Sequence, residues 1–199
     1  MINLSKFPKK VKLRDDLEII VRVLEASDES GLWDLMNSLP REERVRFRDD
    51  VTNRDIVGKW ATDIDLTRII PLVAELDGKI IANWTIHHRE YGWTRHHAQI
   101  RGVVHPDWRK KQISTSMVVE LLSIADKLDT EKVVVEFVSP QTELLERYEG
   151  IGFKKEAVLE KWVKDFRGRY NDLYILSMDL EPAWKKMEQI ILDYGTHGG

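Results

Sequence analysis

The sequence predicts a mixed α/β fold, in which one central, mixed but mostly antiparallel sheet carries helices on both faces. Three observations indicate this. Alternating apolar residues flank Asp77-Gly78, a dipeptide typical of tight hairpins because glycine accepts positive φ without a steric penalty. A strand at 96–104 leads through a short turn into an amphipathic helix, and a long hairpin follows near the end of the chain. The resulting order, β-β-α-α-β-β-β-α-β-α-β-β, favours a single sheet.

The individual elements follow from apolar periodicity, which is two in strands and about 3.6 in helices. The early elements are a hairpin over 11–23 that turns at Asp15-Asp16, a helix over 31–39 that is capped by Ser27-Asp28 and ended by Pro40, and a broken helical region over 41–65. The later elements are strands over 69–76, 79–87 and 96–104, a helix over 114–128, a strand over 133–137, a helix over 141–149, and a hairpin of strands 153–164 and 170–180.

Length and composition predict one domain over residues 1–180, followed by a C-terminal helix and a frayed tail over 181–199. That helix could cap the sheet or form a homodimer contact. The net charge of −3 offers no general attraction for nucleic acid or for an anionic membrane. With no cysteine, no apolar run of membrane-spanning length and no apolar leader at the start, the sequence is typical of a soluble, cytoplasmic protein.

The segment from Val103 to Ser114 is the strongest candidate for a binding site. It leads from a strand into a helix N-terminus, where the first N–H groups lack partners and the helix dipole favours an anion. Arg109, Lys110 and Lys111 add positive charge suited to a pyrophosphate. A basic turn of this kind is more often only a solvated loop, so the turn alone does not identify a ligand.

This segment also resembles motif A of the GCN5-related N-acetyltransferases. The family signature Gln/Arg-x-x-Gly-x-Gly/Ala aligns with Arg109-Lys110-Lys111-Gln112-Ile113-Ser114. Downstream, Tyr148-Glu149-Gly150-Ile151-Gly152-Phe153 is similar to the family's Tyr-x-x-x-Gly-Phe element, and residues 162–172 resemble its last hairpin. The stretches 11–15 and 39–47 are similar to one branch, the acetyltransferase domains of prokaryotic protein lysine acetyltransferases.

The resemblance implies the fold of that family, acetyl-CoA as co-substrate, an amine of a protein lysine or a small molecule as acceptor, and no metal. A backbone N–H at Val104 is the expected donor to the thioester oxygen. Gln141 stands where the family often has an asparagine that contacts the cofactor. The residues implied in cofactor binding are Val103, Val104, Arg109, Lys110, Lys111, Gln112, Ile113, Ser114 and Gln141.

The resemblance assigns catalytic roles less directly. Tyr148 aligns with the frequent general acid of the family, although a tyrosine packed under the sheet is the alternative. Gln99 stands where the family often places a glutamate base, and it could orient a water instead. The candidate bases are Glu136 and the histidines His87, His88, His96 and His97, which we expect to face each other across a hairpin. We select Tyr148, Gln99 and His97, and we disfavour a histidine metal site because adjacent strand residues point to opposite faces.

Two departures from the family pattern support a different function class. Gln112 occupies a position where the family usually has glycine, and Gln99 stands in place of the glutamate that the family often has on that strand. Ser114 replaces a glycine or alanine, but a small hydroxyl suits a helix start. Gln112 could point to solvent and leave its N–H free for phosphate, or it could crowd the site. The alternative to an enzyme is therefore a non-catalytic, acyl-CoA-binding regulatory module. A nucleic-acid-binding domain that uses 109–111 is disfavoured by the negative net charge.

Overall fold

The protein is described by a computed structural model over residues 3–13, 16–139 and 142–180. The strands within these ranges are β1 Lys9–Lys12, β2 Glu18–Val23, β3 Ile69–Leu76, β4 Lys79–His87, β5 His97–Val104, β6 Lys132–Val138, β7 Lys154–Lys164 and β8 Tyr170–Asp179. The helices are α1 Glu29–Ser38, α2 Arg41–Arg44, α3 Arg54–Thr62, α4 Ile113–Lys127 and α5 Thr142–Ile151, with short 3-10 turns at Ala26–Asp28 and Pro106–Trp108.

The strands form one sheet in the order β1-β2-β3-β4-β5-β6-β8-β7. Every neighbouring pair is antiparallel except β5 and β6, which run parallel. One apolar cluster packs α4 and α5 against the sheet, and a second cluster packs α1 and α3 against the opposite face. The predicted mixed α/β fold, with helices on both faces of a mostly antiparallel sheet, is therefore confirmed.

The hairpin predicted at Asp77-Gly78 is present between β3 and β4. Both turn residues have positive φ, 49° at Asp77 and 75° at Gly78. This combination belongs to the turn whose twist matches that of the flanking strands. The turn aligns β3 with β4, and β4 in turn supports the edge of β5 that borders the site.

The predicted cap at Asp28 serves a different purpose. Asp28 precedes α1 but makes no side-chain cap hydrogen bond to it. Its carboxylate instead accepts from the N–H of Glu25 at 2.8 Å and from both terminal nitrogens of Arg22 at 2.6 and 2.8 Å. Asp28 is 9% exposed, and a carboxylate at that depth is stabilised more by a guanidinium than by a helix end.

A second ionic contact connects the N-terminal segment to α4. Glu120 lies on the otherwise apolar, buried side of α4 and is 6% exposed. Its two carboxylate oxygens accept from Lys6 Nζ at 3.0 Å and Lys9 Nζ at 2.5 Å. The apolar periodicity of α4 does not reveal this role, because the lysines come from more than a hundred residues earlier.

Three predictions fall wholly or partly outside the described residues. These are the turn of the first hairpin at Asp15-Asp16, of which Asp16 alone is described, the cofactor contact at Gln141, and the C-terminal helix and frayed tail over 181–199. They remain predictions. Of the helices in the described ranges, none has the length and apolar character needed to cross a membrane.

Candidate active site

The site begins where the two parallel strands separate. β5 and β6 pair from His97 with Lys132 to Ile100 with Val135, and the recorded pairing ends there. Both strands continue, β5 to Val104 and β6 to Val138. The sheet therefore opens into a gap between Arg101–Val104 on one side and Glu136–Val138 on the other.

The backbone of Val104 faces this gap. His105 donates its N–H to Ile81 on the β4 side at 2.8 Å. Because the N–H groups of successive strand residues point to opposite edges, the N–H of Val104 points away from β4 and towards β6. By the same alternation the N–H of Val103 points towards β4, and its side chain packs with the α1–α3 cluster. Of the two predicted residues Val103 and Val104, Val104 is therefore the one whose N–H faces the gap.

The N-terminus of α4 lies at the end of this gap. Ser116 makes the first intrahelical bond of α4, to the carbonyl of Gln112 at 3.0 Å, which leaves the N–H groups of Ile113, Ser114 and Thr115 for an external acceptor. Gln112 precedes the helix with φ 63° and ψ 6°, and its side chain is solvent-exposed. The residue therefore adopts the left-handed conformation that favours the glycine expected here.

The basic residues of the turn are held in different ways. Arg109 donates through both terminal nitrogens to the carboxylate of Glu43 in α2, at 2.8 and 2.6 Å, and through Nε to the carbonyl of Val104 at 3.2 Å. Lys111 places its ammonium 4.8 Å from the ring centroid of Trp108. Lys110 has a φ of 63° and is exposed. Arg109 therefore joins the turn to α2, while Lys110 is open to solvent.

Tyr148 reaches the gap from the β6 side. Its ring stacks on Phe137 of β6 with centroids 6.0 Å apart and meets Phe153 edge-on at 5.2 Å. Gly152, at φ 120°, ends α5, and Phe153 then donates its N–H to the carbonyl of Tyr148 at 3.0 Å. Burial raises the pKa of the Tyr148 phenol well above its usual value, so the hydroxyl remains protonated at neutral pH.

A polar cluster lies along the sheet face that looks towards α2 and α3. His87 on β4 is paired in register with Gln99 on β5, and Thr85 with Arg101. The Arg101 guanidinium donates to Oε1 of Gln99 at 2.6 Å, and Nε2 of His87 lies 2.9 Å from the Thr85 hydroxyl. Glu136 of β6 completes the cluster and accepts from Arg48 at 2.5 Å.

The expected meeting of four histidines across the hairpin is wrong. His87 ends β4, residues 88–96 form the connection, and the register places Gln99 rather than His97 opposite His87. His97 begins β5, next to Lys132 of β6, and its ring contacts that of His96 with centroids 4.1 Å apart. Of the four histidines, only His87 lines the cleft. The described ranges contain no group of three histidine or carboxylate side chains that could hold a metal ion.

The gap, the turn and the polar cluster belong to one cleft of about 1540 Å³. This exceeds the volume of about 300–1,000 Å³ typical of a site for one small ligand, so a cofactor and an acceptor can share it. The family resemblance implied that some charges within 41–65 line the acceptor site, but it did not single out Glu43 or Arg48, and Arg101 was not among the predicted residues. For Arg101 a signal existed, since a residue two positions after Gln99 on a strand faces the same side.

The electrostatics of the cluster follow from burial among positive neighbours. Burial lowers the pKa of His87 to about 4, and the charges of Arg101 and Arg48 act in the same direction. Burial likewise lowers the pKa of Arg101, as does Arg48, while Glu136 and Asp49 oppose this. At neutral pH the imidazole is uncharged, and it lies beside a cation in partly desolvated surroundings.

Solved structures share this architecture. This chain is 25% identical to smu.2055 from Streptococcus mutans UA159, with a TM-score of 0.68. The match covers 81% of this chain and 99% of the other. Two further structures show the fold alone: yncA, a putative acetyltransferase from Salmonella typhimurium with its cofactor acetyl-CoA (18% identity, 82% and 94% coverage, TM-score 0.71), and the GNAT domain of S. lividans PAT (14%, 86% and 96%, 0.71). No curated protein matches the sequence.

The sequence also matches a family model directly. The match runs from residue 32 to residue 153, which is more than half of the chain. It includes the strand pair that opens into the gap, the basic turn, the start of α4 and the Tyr148–Phe153 element. The resemblance found in motif A is therefore confirmed, and the chain belongs to the acetyltransferase (GNAT) family.

Proposed function

We propose that the protein is an N-acetyltransferase that moves the acetyl group of acetyl-CoA to an amine. The observation that carries the proposal is the gap between β5 and β6, which lies directly beside the N-terminus of α4. One end of this arrangement suits phosphate, and the open strand edge suits an extended chain of amides.

The residues present fit acetyl-CoA. The N–H groups of residues 113–115 and the exposed Lys110 supply donors and charge for the pyrophosphate, and the backbone of 102–104 supplies an unpaired strand edge for the pantetheine arm. Gln112 has the backbone conformation of a glycine and an exposed side chain, which supports a free N–H at this position. When bound, acetyl-CoA supplies an acetyl thioester as the activated acyl donor.

The chain supplies groups on both sides of the reacting carbonyl. The N–H of Val104 is placed to donate to the thioester oxygen, where negative charge develops. Tyr148, protonated and next to β6, is placed to give a proton to the departing thiolate. Val104 lies on β5 and Tyr148 lies on α5 against β6, so the two groups approach the gap from opposite sides.

The proton of the acceptor ammonium must also be removed before the amine attacks. His87 is the candidate histidine that lines the cleft, and it is uncharged at neutral pH. Gln99 lies in register beside it with its carbonyl oxygen engaged by Arg101, so its amide nitrogen can orient a water. Because a pKa of about 4 makes His87 a weak base, we assign proton removal to water that leads to solvent and that His87 and Gln99 orient, and not to His97.

Two measurements test the proposal together. Calorimetry with acetyl-CoA measures binding, and release of free thiol over a panel of amines measures transfer. The chain contains no cysteine, so a thiol reagent reports only the CoA that is released. We expect binding and thiol release. Binding without release from any acceptor would instead support the non-catalytic regulatory module, and no binding would contradict both functions.

A further inference from the structure

Arg101 is a half-buried cation in the part of the cleft where an acceptor would bind. It lies on β5 between Gln99 and Val103, on the face that looks towards α2 and α3, and its register partner on β4 is Thr85. The guanidinium is beside His87 and borders the same gap as the N–H of Val104. Any acceptor amine that reaches the gap from this face therefore passes close to Arg101.

The charge of Arg101 is poorly compensated. Its one recorded side-chain hydrogen bond goes to the neutral amide of Gln99. Within the described ranges no carboxylate comes within 4 Å of the guanidinium, and the Glu136 carboxylate is bound by Arg48 instead. Burial and Arg48 lower the pKa of Arg101 despite the opposing charges of Glu136 and Asp49. A half-buried guanidinium in this situation is stabilised by an added anion.

The shape of the donor identifies the anion. A guanidinium presents parallel N–H groups that match the two oxygens of a carboxylate. An acceptor that is only a cation, such as an alkyl ammonium ion, would be repelled by Arg101 and Arg48. An acceptor that also carries a carboxylate brings its own compensating charge. The cluster therefore favours a zwitterion over a simple amine.

The segment above this cluster favours a small acceptor. Glu43 is tied to Arg109 beside the start of α4, and Arg48 is tied to Glu136 on β6. These two contacts connect the segment 43–48 to both sides of the gap, through Arg109 on the β5 side and through Glu136 on the β6 side. Space beneath a segment held at both ends suits a free small molecule better than a polypeptide.

We propose that the acceptor is a small amine that also carries a carboxylate, of the amino-acid type, and that Arg101 binds the carboxylate. This inference rests on the proposed function and specifies the acceptor class of the same site. The carboxylate holds the acceptor while its amino group is directed towards the gap. Arg101 therefore acts as a specificity residue and not as an acid or base.

The test compares amino acids with their carboxamides, in which a neutral group of similar size replaces the carboxylate. The amide also makes the α-amine less basic, so rates are compared per unprotonated amine. With acetyl-CoA and the full chain, we expect the amino acids to be acetylated with kcat/KM at least about tenfold higher than the amides, since hydrogen bonds to a charged group contribute about 1.5–3 kcal/mol. Arg101→Met should lower kcat/KM for the acids by about 10- to 100-fold more than for the amides, mainly through KM, and leave the acetyl-CoA affinity unchanged. A smaller loss shared by both substrate classes is expected, because Arg101 also holds Gln99.

Two further variants check the interpretation. Arg101→Lys keeps the charge but not the paired donors, so it should restore part of the preference for acids. Arg95→Met removes an exposed arginine outside the cleft and should change neither substrate class. Equal use of acids and amides by the wild type, an equal loss of both with Arg101→Met, or transfer only to lysine-containing peptides would each overturn the proposal.

Failure of this inference and failure of the proposed function give different results. If acetyl-CoA binds but no acceptor releases thiol, the transfer activity is contradicted while Arg101 can still be tested by binding. Calorimetry with N-acetyl amino acids and the matching N-acetyl amino acid amides serves this purpose. Binding of the acids alone, lost with Arg101→Met, would support the anion site. Equal binding of both, or of neither, would overturn it.

Discussion

The backbone at residue 112 shows how one residue connects the sequence motif to the site. The family pattern has glycine here, and the chain has Gln112 in the left-handed region at φ 63°. A left-handed conformation costs an L-residue with a side chain about 1–2 kcal/mol. The glycine preference of the motif thus has a conformational cause as well as the close approach of a phosphate.

Replacing Gln112 by glycine should relieve this strain. We expect Gln112→Gly to raise the free energy of unfolding by up to about 1 kcal/mol, because the glycine's extra freedom in the unfolded chain offsets part of the gain. Acetyl-CoA affinity should stay equal or improve. Gln112→Ala is the control, since it shortens the side chain and keeps the strain. A large loss of affinity in both variants would mean that the glutamine side chain itself binds the cofactor.

Tyr148 combines a packing position with a hydroxyl that stays protonated at neutral pH. We expect Tyr148→Phe to preserve the aromatic contacts with Phe137 and Phe153 and to lower kcat at least tenfold, because only the proton donor is lost. The acetyl-CoA dissociation constant should change little. Steady-state thiol release together with calorimetry separates the two effects. An unchanged kcat would assign Tyr148 to packing alone.

At the scale of elements, the contact between β4 and β5 depends on the absence of a side chain. Trp84 is paired in register with Gly102 and is 4% exposed. A Cβ built on Gly102 would overlap the five-membered ring of this indole. The tryptophan therefore packs directly on the backbone of the strand that borders the gap.

Gly102→Ala should consequently destabilise the protein, by about 1–3 kcal/mol or more, since the indole or the strand must shift. Gly150→Ala is the matched control. It lies in α5 with nothing within 4 Å of its added Cβ, and should be neutral or stabilising because alanine favours a helix. Denaturant unfolding of both variants measures the difference. Equal stability of the two would show that Trp84 moves aside freely.

The connection between the N-terminal segment and α4 is a further element-scale feature. Glu120→Gln removes the charge that binds Lys6 and Lys9 at a carboxylate that is 8% exposed. We expect a loss of about 1–3 kcal/mol in the free energy of unfolding. Glu18→Gln, in an exposed pair with Lys10, should have little effect. Similar results for the two variants would contradict a stabilising role for the Glu120 contacts.

At the scale of the whole molecule, the two faces of the central sheet differ in polarity. One apolar cluster fills the α4 side, and the other is interrupted, on the α2–α3 side, by the polar cluster of His87, Gln99, Arg101 and Glu136. Partly buried titratable groups have pKa values that differ between the folded and unfolded chain, and such groups are common at functional sites. We therefore expect the free energy of unfolding to depend on pH, and we expect one residue of the polar cluster to cause a measurable part of this dependence.

That residue is His87, whose pKa is lowered to about 4 in the folded protein. Between its ordinary pKa near 6.5 and pH 4 the unfolded chain binds a proton here and the folded chain does not, so stability falls as the pH falls. We expect His87 to account for about 2 kcal/mol of the loss between pH 7 and pH 4.5. His87→Gln should lose correspondingly less in denaturant titrations at these two pH values. An equal loss in both proteins would contradict this.

The sequence by itself determined the elements and the family. Periodicity located the strands and helices to within a few residues, because it reflects which faces a local segment must bury. The turn at 77–78, the basic turn before α4 and the glycine that ends α5 depend on backbone conformations encoded by adjacent residues. The turn and helix start that we propose bind the cofactor were therefore predictable from short motifs.

Only the tertiary structure decided the acceptor side. The register of β4 with β5 places Gln99 opposite His87, where a group of histidines was expected. The fold also brings Glu43 to Arg109, 66 residues later in the sequence, and Arg48 to Glu136, 88 residues later. Such contacts have no local signature, since they depend on strand order and on where α2 packs. The charge that we propose selects the acceptor, on Arg101, is visible in the sequence, but its burial without a carboxylate partner is a property of the fold.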